Sequence, residues 1–178
     1  MKNAAIKVHK LGTDSSAKIV SIGLNIFDET KQPDQDVTQC VVVDLDSQNH
    51  RHIEGRSLRW WMEQPEEVRK IFENDGVDII TAFNKIEKIL LDVDGIILIS
   101  KHDQDILESE RTYLFRSNDH HRRRLYDLEE MFAFWGITPC KVRVCPKYYV
   151  ADLAAKADAD TLRTCWTLIK TVELGKIA

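Results

Sequence analysis

The segment His102-Asp103-Gln104-Asp105 places an imidazole and two carboxylates next to one another in the chain. Such a group could ligate a transition metal, and His9 could add a second imidazole if the fold brings it close. The alternative role is structural, because acidic side chains at the start of a helix interact favourably with the positive end of its dipole. Since the structural role is the more common one for such clusters, we expect a helix start here.

A second cluster of chemically active side chains is basic, and its members are Arg116, His120, His121, Arg122, Arg123 and Arg124. Such a run could contact phosphates or an acidic partner, or it could be a solvated loop. The whole chain carries a net charge of −4, with a pI near 5.9, so its overall field does not favour nucleic acid. Any nucleic-acid binding would therefore depend on a local basic face.

The adjacent Trp60 and Trp61 are a third feature that could have a role in binding. Exposed indole rings can stack on nucleic-acid bases, whereas buried ones anchor a core. The sequence leaves both roles open for this pair, and a core role is the more frequent one for aromatic residues at a helix start.

The cysteines favour a reducing compartment. Cys40, Cys140, Cys145 and Cys165 form no Cys-x-x-Cys pair, and no signal peptide is recognisable ahead of them. No apolar run approaches the roughly 18 residues of a membrane span. We therefore expect a cytoplasmic protein with reduced thiols and no membrane association.

The elements that must position these side chains follow from hydrophobic periodicity. Alternation and β-branched content predict strands over 4–9, 18–27, 38–45, 95–100 and 141–145. Helical spacing predicts helices over 57–63, 65–73, 77–91, 103–115 and 125–135, and from about 151 onward. A meander followed by strand–helix alternation predicts one α/β domain over 1–178, with a mixed five-stranded sheet flanked by helices.

Several motifs in this order resemble one known family. Residues 17–28, AKIVSIGLNIFD, are followed by Gly55-Arg56, Trp60-Trp61 and Gln64, and Asp105 precedes Tyr113 by eight residues. The chain is similar to the DEDD (DnaQ-like) 3′–5′ exonucleases of the RNase H-like fold, in particular their small phage and bacterial branch. The resemblance implies that fold for nearly the whole chain.

The resemblance also implies where a metal-dependent catalytic centre would lie. In the family, two divalent ions are held by carboxylates, two of which come from the first strand. Here Lys7 and His9 occupy those two positions, Asp105 and Asp158 match the later acids, and Leu153 matches the general base. We therefore expect no intact catalytic site, no bound metal and no cofactor. We also expect Lys7 to pair with Asp105, Asp158 or both, in place of the ion.

Two functions remain open at this point. The first is a degenerate exonuclease homologue, of phage origin as a further hypothesis, that binds a protein partner or nucleic acid. Its binding residues would be Arg56, Trp60, Trp61, Gln64, Arg122, Arg123 and Arg124. The second is an active 3′–5′ exonuclease that uses Mg²⁺ or Mn²⁺ on other acids, namely Asp103, Asp105, Asp127 and Asp158.

Overall fold

The computed structural model describes residues 1–32, 35–98, 103, 105–107, 109, 124–127 and 166, with the backbone alone for 124–127. Its centre is a five-stranded sheet of order β3-β2-β1-β4-β5. The strands are β1 (Lys2–Lys10), β2 (Ile19–Asp28), β3 (Val37–Val42), β4 (Gly95–Leu98) and β5 (Arg124–Asp127). The helices are α1 (Gly55–Met62), α2 (Glu66–Arg69), which continues as a 3₁₀ turn over Lys70–Glu73, and α3 (Ile79–Leu90). Residues 103, 105–107 and 109 are also helical.

Strand β1 is the central strand of the sheet. It pairs antiparallel with β2 along its whole length, with Lys7 opposite Gly23, and parallel with β4 on its other edge. Parallel pairing also joins β4 to β5, so the sheet is mixed. Because a central strand is covered on both faces, Ala4, Ala5 and Ile6 are all fully buried.

The two faces of the sheet carry different cores. Ile6 and Val8 point toward α3, whose Phe83 and Ile86 lie in the same cluster. Side chains alternate along a strand, so Lys7 and His9 point to the opposite face. There, Trp61 of α1 belongs to a second apolar cluster, together with Leu11, Val20, Val68 and Ile71. Lys7 and His9 therefore lie on the sheet face opposite α3.

The α/β class and the mixed sheet predicted from the sequence are confirmed, and the first four strands lie where they were expected. The helix predicted over 125–135 is wrong at its start, because residues 124–127 form β5. Here parallel pairing with β4, Leu98 against Asp127, overrides the helical spacing of the apolar residues. The strand predicted over 141–145 lies outside the described residues. Within the described part of the chain, every helix is too short or too polar to span a bilayer.

A buried polar contact ties a distant part of the chain to the first strand. Trp166, which is helical and 1% exposed, donates its indole N–H to Oε1 of Glu29 at 2.8 Å. The same oxygen accepts from the side-chain amide of Asn3 at 2.8 Å. Residues near both ends of the sequence therefore share one carboxylate beside β1.

Candidate functional site

The candidate site is centred on Lys7, at the position of the first acid expected from the resemblance. Its Nζ lies 3.4 Å from Oδ2 of Asp103, which is 1% exposed, while the Lys7 side chain is 23% exposed. Lys7 therefore forms an ion pair with a carboxylate, as expected, but the partner is corrected. It is Asp103 rather than Asp105, and Asp158 lies outside the described residues.

The choice between Asp103 and Asp105 follows from helix geometry. Residues two positions apart on an α-helix are rotated by about 200° around the helix axis. The side chains of Asp103 and Asp105 therefore point to opposite sides of the helix. Asp103 is buried against β1, whereas Asp105 is only partly buried. Asp103 is helical and forms an ion pair with β1, whereas the helix start expected at this cluster is not tested, because residues 99–102 lie outside the described residues.

His9, at the position of the second expected acid, contacts Ser21 and Trp61. Its Nδ1 lies 3.3 Å from Oγ of Ser21, and its ring lies 6.2 Å from the ring of Trp61. Around Lys7, no three metal-ligating side chains converge among the residues that the structure describes. The described part of the site is therefore a cation paired with a buried carboxylate.

Lys10 extends this cationic character to the end of β1, and the motif comparison did not single it out. Burial lowers the pKa of Lys10, and Lys7 adds to that effect, while the nearby carboxylate of Asp103 opposes it. Its Nζ donates to the carbonyl of Thr13 at 3.5 Å. Two lysines thus lie within electrostatic range of Asp103. Asp14 also lies within electrostatic range of Lys10.

The two tryptophans of α1 have different environments. Trp61 is 4% exposed, donates its indole N–H to the carbonyl of Lys10 at 3.1 Å and packs edge-on against Phe72. Its ring is therefore a core anchor, which is the more frequent of the two roles that the sequence left open. Trp60 is 48% exposed and contacts Trp61 edge-on, with the ring centroids 5.4 Å apart.

The other predicted binding residues of α1 share a face with Trp60. Arg56 and Trp60 are four residues apart on α1, which puts them on one face of the helix, and Gln64 lies just beyond its end. The side-chain amide of Gln64 donates to the carbonyl of Trp60 at 2.8 Å, and Arg56 is exposed. The structure therefore brings a guanidinium, an exposed indole and an amide together on the solvent side of α1.

For the remaining predicted site residues, the structure describes no side chain. Leu153, Asp158, Arg122 and Arg123 lie outside the described residues. Arg124 and Asp127 are the first and last residues of β5, where the backbone alone is described.

The sheet order, with a long antiparallel meander followed by parallel strands and a helix after β4, defines an α/β domain compatible with the RNase H-like exonuclease fold. Residues 2–135 match the Rv2179c-like family, described as a 3′-5′ exoribonuclease Rv2179c-like domain. The chain belongs to this family, which is consistent with the resemblance to DnaQ-like exonucleases. No curated protein matches the chain.

Proposed function

We propose that this protein is a catalytically degenerate exoribonuclease homologue that binds single-stranded RNA without degrading it. The observation that carries the proposal is the Lys7–Asp103 pair, with 3.4 Å between Nζ and Oδ2. A lysine ammonium cannot ligate a metal ion, and it repels one. Asp103, which could have contributed an oxygen ligand, already has its charge compensated by that ammonium.

A lysine at the position of a metal-binding acid favours RNA binding over RNA hydrolysis. A working two-metal centre neutralises the phosphate at the reacting end with divalent ions. Lys7 and Lys10 supply positive charge at this place without the ability to activate a water molecule. Phosphate attraction can therefore persist after the catalytic step has been lost.

The exposed face of α1 supports a single-stranded ligand. Trp60, 48% exposed, offers a ring on which an unpaired base can stack, and Arg56 lies one turn away for a phosphate. Stacking of this kind is tolerant of sequence. RNA rather than DNA is proposed because the family is described as exoribonuclease-like.

The experiment combines a degradation assay with a binding assay on the full chain. Labelled single-stranded RNA and DNA are incubated with Mg²⁺ or Mn²⁺, and we expect no shortening above background. Binding of the same RNA, measured by fluorescence anisotropy, is expected to weaken steeply with salt. Metal-dependent 3′-end shortening that disappears in Asp105→Ala would instead establish an active exonuclease, and absence of any RNA binding would leave a protein partner as the ligand.

A reversal variant tests the site itself. Lys7→Asp with His9→Glu places acids on β1 near Asp103, so calorimetry should detect at least one equivalent of bound Mn²⁺ more than for the wild type. The matched control is Lys7→Ala with His9→Ala, which removes the same side chains without adding oxygen ligands. If the acidic variant is folded and binds no more Mn²⁺ than the alanine control, β1 has been misassigned as the former metal strand.

The basic run is tested through the salt dependence. For single strands, the slope of log K against log salt is about −0.7 for each phosphate contact. Replacing Arg122, Arg123 and Arg124 by Gln should therefore make the slope shallower by about 2 if all three contact phosphates. An unchanged slope would assign RNA binding to the lysines and to α1 alone.

A further inference from the structure

A second group of ligand-type side chains lies in the loops beyond the end of β1. Nε2 of His52 lies 3.3 Å from Oδ2 of Asp14 and 3.9 Å from Oε1 of Glu54. Within the described residues, these three form the one group of at least three His, Cys, Asp or Glu side chains whose ligand atoms lie within 4.8 Å of one another. None of the three belongs to the motifs that carried the family resemblance.

The backbone fixes the two segments that supply these side chains. The backbone amide of His52 donates to the carbonyl of Ser16 at 3.1 Å, and the backbone amide of Lys18 donates to the carbonyl of His52 at 2.8 Å. The amide of Glu54 donates to the carbonyl of Leu11 at 2.8 Å. Since alternate residues of an extended segment point the same way, His52 and Glu54 present their side chains together toward the β1–β2 loop.

Neighbouring hydroxyls and amides hold the three side chains in place, and the Glu54 oxygen that they hold, Oε1, is also the one measured to His52. Oδ1 of Asp14 accepts from both the amide and the hydroxyl of Ser16 at 2.7 Å, while Oδ2 lies next to His52. The Ser16 oxygen lies 3.3 Å from Nδ1 of His52. Because the Ser16 hydroxyl proton is donated to Asp14, its oxygen can accept from Nδ1–H, and in that tautomer Nε2 presents its lone pair.

Both carboxylates are also stabilised in their charged form. The Ser16 hydroxyl lowers the pKa of Asp14, and the backbone amide of Thr13 lowers the pKa of Glu54. That amide and the Thr13 hydroxyl donate to Oε1 of Glu54 at 3.0 and 2.9 Å. Two anions and one imidazole nitrogen therefore converge on one point at neutral pH.

We propose that Asp14, His52 and Glu54 form a binding site for one divalent transition-metal ion, of which Zn²⁺ is the best fit. Ligands at about 2.0–2.1 Å from a tetrahedral ion lie about 3.3–3.4 Å apart. The Asp14–His52 distance of 3.3 Å meets this value, and the His52–Glu54 distance of 3.9 Å requires a shift of about half an ångström. A solvent molecule would complete four ligands, since the group is accessible from outside. Mixed nitrogen and oxygen ligands favour such an ion over Mg²⁺.

This site is separate from the vestigial catalytic centre. The catalytic acids expected from the family lie on β1 and on later helices, whereas these ligands come from the β1–β2 loop and the segment before α1. The inference therefore does not depend on whether the protein cleaves or binds RNA. Its consequence is structural, because an ion here would join the loop after β1 to the segment that leads into α1.

The test is titration of the full chain with Zn²⁺ by calorimetry, and with Co²⁺ by visible absorption, in the absence of RNA. We expect one saturable equivalent, a Co²⁺ spectrum without thiolate bands and a rise in Tm with metal. Asp14→Asn, which keeps an acceptor for Ser16, and His52→Ala should each weaken binding at least about 10-fold. His50→Ala, an exposed histidine two residues away, should bind as the wild type does.

Two results would overturn the site. Absence of saturable binding in the wild type would mean that the three side chains interact only with one another and with their neighbours. Binding that persists unchanged in both Asp14→Asn and His52→Ala would assign the metal to other side chains. Because Asp14→Asn is nearly isosteric, its result stands even if His52→Ala fails to fold.

Discussion

The Lys7–Asp103 pair makes a quantitative prediction about stability. At 3.4 Å, two opposite unit charges attract by about 5 kcal/mol at an effective dielectric constant near 20, and by about 1 kcal/mol in water. Burying the carboxylate of Asp103, which is 1% exposed, offsets much of the larger value. Lys7→Ala removes the attraction but leaves the carboxylate buried. We therefore expect it to lower the free energy of unfolding by about 1–3 kcal/mol.

The assay is urea denaturation followed by tryptophan fluorescence, with a double-mutant cycle. Lys85→Ala, on the exposed side of α3, is the matched control and should stay within about 0.5 kcal/mol of the wild type. Asp103→Asn removes the buried charge, so the double variant Lys7→Ala/Asp103→Asn should be more stable than the sum of the two single effects implies. We expect a coupling energy of about 1 kcal/mol or more.

Two outcomes would refute this reasoning. One is a Lys7→Ala variant as stable as Lys85→Ala, which would mean that the ammonium does not compensate the buried carboxylate. The other is additivity of the two single substitutions within about 0.3–0.5 kcal/mol, the range of independent sites. Either result would also remove the main support for a lysine that substitutes for a metal ion.

Three further predictions concern α1, a turn and a helix start. Trp60→Ala should weaken RNA binding by about 1–3 kcal/mol in anisotropy titrations without changing the urea midpoint, whereas Trp61→Ala should cost about 3–5 kcal/mol of folding free energy; the reverse pattern would contradict the assignment of the two rings. Gly76→Ala should destabilise by at least about 1–2 kcal/mol in the same denaturation assay, because Gly76 has φ of +66° and a Cβ there would lie 2.7 Å from the amide nitrogen of Asp44. Gly55→Ala, whose Cβ would meet nothing closer than 3.7 Å, is its control and should be neutral or stabilising. Hydrogen bonds from the Thr81 side chain and amide lower the pKa of Asp78 below its ordinary 3.8, so its stabilisation is present above that value and lost as pH falls through the lowered pKa. Urea midpoints of the wild type and Asp78→Asn should therefore converge with acidification below about pH 4, and a constant difference would refute this.

The sheet could be predicted from the sequence where local pattern and tertiary environment agree. β2 combines β-branched residues with turn residues on both sides, and α3 places Phe83 and Ile86 on one face at helical spacing. Residues 124–127 were mispredicted because a strand of four residues carries too little periodicity to compete with the helical spacing beyond it. Their strand conformation depends on pairing with β4, which local sequence does not encode.

The site could be predicted only in part for a geometric reason. The sequence pattern placed a cation on β1 and an acid on the helix after β4, which is what the structure has. It placed Asp105 rather than Asp103 next to Lys7, and this was wrong because the partner depends on how the helix is rotated against β1. The group of Asp14, His52 and Glu54 had a weaker signal still, since its members come from two loops brought together by backbone hydrogen bonds.

The central position of β1 has a consequence for synthesis on the ribosome. β1 can pair with β2 as soon as the first 28 residues have emerged, but its other edge is completed only by β4, which begins at Gly95. At about 5–20 residues per second, the 66 residues between Asp28 and Gly95 take on the order of 3–13 s. During that interval the nascent meander exposes an apolar strand edge, the kind of surface that pairs with other chains. The hydrogen bond from Trp166 to Glu29 can form only later, after Trp166 has emerged. The part of the domain around Glu29 is therefore complete only when nearly the whole chain has been made.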